Sequence, residues 1–147
     1  MEVKIRYAQS ADLPTIFAFV KDLALFEKAP EAVTAEIKDY ENAFESRLIG
    51  ALIAESNTVP VGVALYYETF STWKGKMLHL EDFIVSEDMR GKGIGRQLFE
   101  SVIEEAKKRQ CKMMKWQVLD WNTSAVEFYK KYDCFIDKEW WDCKLYF

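Results

Sequence analysis

Arg90-Gly91-Lys92-Gly93-Ile94-Gly95-Arg96 lies between two segments of different period. Upstream, Leu78-His79-Leu80-Glu81-Asp82-Phe83-Ile84-Val85 reads as a largely buried strand. Downstream, Ile94, Leu98, Phe99, Val102, Ile103 and Ala106 recur at helical spacing. Three glycines at alternate positions let the backbone approach a ligand closely and turn its N–H groups toward one point. Those groups open a helix, where unpaired donors and the positive dipole end favour an anion. Arg90, Lys92 and Arg96 stand where that dipole disfavours cations, whereas Lys107, Lys108 and Arg109 complement the other end. Cations at the unfavourable end fit a polyphosphate held among them. A ligand-free glycine turn between strand and helix is the alternative, and spacing alone leaves both open. The stretch is not a P-loop, because no Gly-Lys-Ser/Thr ends it. It is not the dinucleotide fingerprint either, since the third glycine would fall on Arg96.

Working outward, 147 residues make one domain by length, 1–147, large enough to bury a core. Half the residues are hydrophobic and 30% are charged, an ordinary soluble balance. A net charge of −4 argues against general nucleic-acid binding and suits a small cationic substrate. Cys111, Cys134 and Cys143 are odd in number and lack CxxC spacing, so neither a disulfide framework nor a zinc site is expected. His79 is alone in an apolar run, without partners for a metal. The N-terminus enters a strand directly, with no signal peptide, and no apolar run is long enough to span a membrane. A cytoplasmic protein is the expectation.

Val3 to Tyr7 alternates as a strand. Ser10 is placed to cap a helix with Pro14 in its first turn and Ile16, Phe17, Val20, Leu23 and Phe26 as its apolar stripe. Thr34 would cap a second, weaker helix to about Phe44. Arg47 to Glu55 and Val61 to Thr69 read as strands around a Ser56-Asn57-Thr58 turn. A loop of Ser71 to Gly75 leads to a strand at Met77 to Val85, followed by the glycine turn and a helix to about Gln110. Met113 to Leu119 is a further strand. Asn122 or Ser124 caps a short helix, with Ser124 and Glu127 at capping-box spacing and Ala125, Phe128, Tyr129 and Tyr132 on its apolar side. Phe135-Ile136 and Trp141 to Phe147 would finish as two strands. The order β-α-α-β-β-β-α-β-α-β-β predicts an α/β fold with a mixed sheet.

With an Arg-Gly-x-Gly-Ile-Gly turn placed between that strand and that helix, the chain resembles the GCN5-related N-acetyltransferase superfamily over essentially its whole length. Tyr66-Tyr67, Ser71-Thr72-Trp73-Lys74-Gly75, Leu80-Glu81-Asp82-Phe83, Asp120-Trp121-Asn122 and Phe128-Tyr129-Lys130 narrow this. Together they resemble the diamine (spermidine/spermine) acetyltransferase family. Phe26-Glu27-Lys28, Ser71 to Gly75 and Val118 to Asn122 are more similar to its second branch, associated with thialysine and related amines, than to the polyamine branch. The resemblance implies a single-domain fold of that superfamily, with a mixed, mostly antiparallel sheet flanked by helices. It also implies direct transfer of acetyl from acetyl-coenzyme A to a primary amine, without a metal, by a homodimer.

The same resemblance assigns roles. The turn residues Arg90, Gly91, Lys92, Gly93, Ile94, Gly95 and Arg96 would hold the coenzyme pyrophosphate. The backbone of Phe83, Ile84 and Val85 would meet the pantetheine arm as a strand pairs with an added peptide, and a backbone N–H there would polarise the acetyl carbonyl. Asn122 would contact the cofactor, although as a helix cap it needs no further role. An alkylamine with a pKa near about 10 must lose a proton before attack. Glu81 matches the family's acidic residue for that task, with Asp82 beside it, and strand alternation places the two on opposite faces. Tyr129 matches the general acid for the departing thiolate. Glu27 and Trp73, with Tyr66 and Tyr67, match the substrate side. Uncharged Ser71 and Thr72 tilt the acceptor toward a lysine-like amine and away from a polyamine. The alternatives are an acetyl-coenzyme A sensor without turnover, which would have no reason to keep both Glu81 and Tyr129, and a protein or peptide N-acetyltransferase, which would need an open groove.

Overall fold

The computed structural model describes residues 1–147, which form two units, Met1–Gln117 and Val118–Phe147. The first unit holds a five-stranded sheet in the order β1 (Val3–Tyr7), β2 (Gly50–Ser56), β3 (Val59–Ser71), β4 (Gly75–Val85) and β5 (Met113–Trp116). β1 to β4 are antiparallel neighbours and β5 joins β4 in parallel, so the sheet is mixed and mostly antiparallel. The turn between β2 and β3 is tight: Ser56 pairs with Val59, and Asn57 and Thr58 both take the left-handed conformation that a two-residue hairpin turn of matching twist demands. The longer β3–β4 turn is held by the Ser71 hydroxyl, which accepts the backbone N–H of Trp73 and Lys74.

On one face of the sheet lie α1 (Leu13–Phe26) and α2 (Ile37–Glu45). Leu13 and Ile16 pack with Ala51, Ile53, Val63, Leu65 and Ile84, and Phe19, Val20, Leu23, Ile37, Tyr40 and Phe44 close around them. α3 (Ile94–Lys108) packs on β2, β3 and β4, burying Ile94, Leu98, Phe99, Val102 and Ala106. Each fully buried aliphatic side chain contributes about 1.5–3 kcal/mol. The central strands are therefore covered on both sides, which is why β2 is buried along almost its whole length.

Helix ends depart from expectation. Ser10 and Thr34 cap nothing: Gln9 and Asp12 form a capping box before α1, and Glu36 and Asp39 form one before α2. Three helices close without glycine, through left-handed Lys28, Arg47 and Gln110. In each, the next residue's N–H reaches back to a carbonyl in the last turn: Ala29 to Ala24, Leu48 to Ala43 and Cys111 to Ala106.

The second unit contains α4 (Thr123–Lys130), capped by Asn122, whose side chain accepts the Ala125 N–H at 3.3 Å. Ser124 is therefore not the cap. The two terminal strands expected at Phe135-Ile136 and Trp141 to Phe147 do not form, and β5 ends at Trp116 instead of Leu119. A strand exists only as part of a ladder, and Trp140, Trp141, Leu145, Tyr146 and Phe147 stand exposed with no strand pairing.

Candidate functional site

The expected alternation of Glu81 and Asp82 is broken by a β-bulge. Leu65 pairs with Asp82 while its neighbour Tyr66 pairs with Leu80, so Glu81 is the extra residue of β4. The bulge turns both carboxylates to the face carrying α1 and α2. Both line a groove of about 430 Å³ with Val20, Val33, Thr34, Asp39, Tyr40 and Leu65 among its walls. The opposite-face expectation is thus corrected.

The two acids differ in setting. Glu81 Oε2 receives two contacts, from His79 Nε2 at 3.1 Å and from the Tyr67 hydroxyl at 3.2 Å. The His79 contact is the main reason its carboxyl is held below the usual range. Asp82 is more deeply buried, and burial, with the charges of Glu81 and Glu27 nearby, pushes its carboxyl up to about 6. Glu27, the C-cap residue of α1 fixed by left-handed Lys28, is also pushed up by burial. Tyr40 of α2 faces the pair: burial, then the negative charges of Asp82 and Glu81, push its hydroxyl up to about 12. Tyr67 is pushed up to about 12 by burial and by Glu81.

β4 continues through Glu81 to Val85 beyond its last pair with β5, Leu80 with Trp116, so its edge there carries no ladder. The Phe83 ring packs on Phe99 at 5.6 Å, while Ile84 and Val85 are buried, so what this edge offers is backbone. The glycine turn follows. Gly91 and Gly93 are left-handed at φ 74° and 81°, and Gly93 is the N-cap of α3 with no side chain capping it. A Cβ at either would meet nothing within 4 Å, so the space above them is open. The first N–H groups of α3 have no intrahelical acceptor. Open space, left-handed glycines and the N-terminus of a 15-residue helix fit a pyrophosphate. Arg90 is partly committed elsewhere: its Nε donates to the Val85 carbonyl at 2.9 Å and its guanidinium lies over the Phe26 ring at 5.4 Å. That ties the turn to β4 and α1. Lys92 reaches the Met89 sulfur, and Arg96 pairs with Glu100.

The structure thus gathers Glu27, Glu81 and Asp82, and sets Phe83 to Arg96 in one continuous path. Trp73 lies elsewhere, at the tip of the β3–β4 hairpin and 83% exposed, outside the groove lining. Tyr66 turns away from the groove to stack under Arg109 at 5.2 Å. In the second unit Tyr129 is buried on α4, its ring 5.4 Å from that of Phe128, and Asn122 has the capping bond already described. Two groups escaped the sequence reading. His79 reads in the sequence as a lone histidine, although it stands two residues before Glu81 and therefore on its side of the strand. Tyr40 carries no signal beyond that of an apolar helix position.

Three comparisons bear on this geometry. The model of the acetyltransferase (GNAT) family matches residues 14–133. A thialysine N-epsilon-acetyltransferase of Bos taurus is 33% identical over 153 residues, spanning 96% of this chain and 90% of that protein. The spermidine/spermine N(1)-acetyltransferase-like protein 1 of Homo sapiens is 33% identical over 135 residues, 86% of this chain but 19% of that protein. Among solved structures, an aminoglycoside acetyltransferase from an uncultured soil metagenomic sample shares the fold. Its TM-score is 0.82 at 13% identity, covering 99% of this chain and 96% of that one.

Proposed function

The chain belongs to the acetyltransferase (GNAT) family, whose acetyl donor is acetyl-coenzyme A, and from that premise we propose that it acetylates a primary amine on a small cationic molecule of the lysine or thialysine type. The observation that carries this reading is the bulge that turns Glu81 and Asp82 together into one groove. The name borne by the Bos taurus relative supports the lysine-like acceptor. A diamine or polyamine is the second reading, because the groove is lined by Asp39, Glu81 and Asp82 with no lysine, arginine or histidine to meet an α-carboxylate.

In this reading the N–H groups of Gly91 to Gly95, with Lys92 and Arg96, hold the pyrophosphate, and the family resemblance makes Asn122 a cofactor contact. The β4 backbone at Phe83 to Val85 orients the pantetheine arm, and a backbone N–H there withdraws charge from the acetyl oxygen. Acetyl-coenzyme A, when bound, supplies the thioester carbon that bonds to the amine nitrogen as its C–S bond breaks. The Glu81–Asp82 pair receives the ammonium and takes one proton from it, leaving a lone pair on nitrogen. Tyr129 gives its hydroxyl proton to the departing sulfur, and the second proton leaving nitrogen restores the hydroxyl. One proton is released per turnover. The reading includes a homodimer, which rests on the family resemblance, and a cytoplasmic location, which rests on the cysteine usage of the sequence.

A thiol-release assay over thialysine, lysine, putrescine, spermidine and spermine tests it. Release with at least one ω-amine is expected. Thialysine or lysine ahead of the diamines supports the first acceptor, and the reverse order supports the second. No release with any of the five overturns the assignment.

A further inference from the structure

Glu81 is engaged by His79, a residue to which the family resemblance assigns no role. His79 is directly opposite Tyr67 in the β3–β4 register, and their rings stack at 5.0 Å with a 32° tilt. Both then reach the same atom, Glu81 Oε2, at 3.1 and 3.2 Å. A histidine nitrogen this close to a carboxylate must carry its hydrogen, so Nε2 donates in both the neutral and the charged ring. The His79 side chain is only 14% exposed while that of Glu81 is 48% exposed, so the donor is fixed and the acceptor faces the groove. Asp82, one residue on and on the same side of the bulge, has no comparable donor. Lys115 flanks His79 on β5, and Tyr40 faces the acids from α2.

We propose that His79 is a positioning residue for the amine: with Tyr67 it engages one oxygen of Glu81, so that Glu81 presents its other oxygen to the ammonium as a fixed anionic anchor and Asp82 takes the proton. This rests on the acetyl-transfer reading above and divides the labour of its carboxylate pair. The proton moves from the bound ammonium to the Asp82 carboxylate, giving the free amine and a carboxylic acid that returns the proton to solvent. The burial that raises Asp82 makes it the better acceptor, and the donors on Glu81 make it the poorer one.

The test compares His79→Phe, which keeps a ring against Tyr67 but loses the donor, with His79→Gln, which keeps a donor. His79→Phe is expected to raise the KM of the best amine about tenfold at pH 7.5, the effect of losing one charge-assisted hydrogen bond. The kcat and the KM for acetyl-coenzyme A should stay within about twofold, and His79→Gln should recover most of the loss. In His79→Phe the amine KM should also climb more steeply as pH falls toward about 5.5, because Glu81 then protonates earlier. An unchanged amine KM across that range overturns the proposal, as does an equal loss in kcat and both KM values. A carbon-13 titration of the Glu81 carboxyl supplies a readout independent of turnover. A lower midpoint in the wild type than in His79→Phe supports the proposal, and equal midpoints overturn it. If the wild type acetylates no amine, the acetyl-transfer reading falls, and this titration still decides the His79 contact.

Discussion

Glu81 and Asp82 are sequence neighbours whose carboxyls shift in opposite directions, and the cause is what each side chain touches. Raising Asp82 from 3.8 to about 6 means that the folded state disfavours its charge. The stabilisation from holding its proton is fully present below the unfolded value and is lost as pH rises through about 6. Asp82→Asn should therefore stabilise the protein at pH 7.5 by about 1–3 kcal/mol, read as a higher melting temperature. The gain should vanish below about pH 4, where both states are protonated. The same variant should lower kcat/KM by about a hundredfold and erase an acidic limb near pH 6. A variant that is no more stable at pH 7.5 than at pH 4 contradicts the burial argument. Tyr129→Phe should lower kcat about a hundredfold while the KM for acetyl-coenzyme A stays within about twofold, and an undiminished kcat removes Tyr129 from the chemistry. At this scale the acids were legible because two charges in an apolar strand are costly without a task. His79 was not, because its partner becomes visible only when the strand's two faces are drawn.

At the scale of elements, the glycine turn and α3 were read together and stand together. The boundary condition is conformational, since Gly93 occupies a left-handed N-cap where a side chain costs about 1–2 kcal/mol. Gly93→Val should also fill the open space above the helix N-terminus, raising the Kd for acetyl-coenzyme A by at least about tenfold. Isothermal titration measures this, and a wild-type Kd would refute the pyrophosphate cradle. Elements that end by side-chain chemistry common in loops were located poorly. Lys28, Arg47 and Gln110 close their helices where glycine would have announced the end. Glu36 and Asp39 cap α2 where Thr34 offered the more familiar residue type.

For the whole molecule, the order of strands and helices through α4 was legible because period-2 and helical stretches alternate with clear turns. The two terminal strands were not, because aromatic content measures the tendency to join a ladder and not the presence of a partner. The bulge at Glu81 has a consequence for the entire sheet, which is one of parity. Before it, odd-numbered positions of β4 such as His79 face α1 and α2; after it, even-numbered ones such as Ile84 do, while Phe83 faces α3. Any rule that sorts this strand into faces by counting must change its count at one residue. Removing that residue would restore strict alternation and leave every later side chain of β4 on its present face and opposite its present partner, so the bulge adds one carboxylate to the acceptor face without disturbing the rest of the strand.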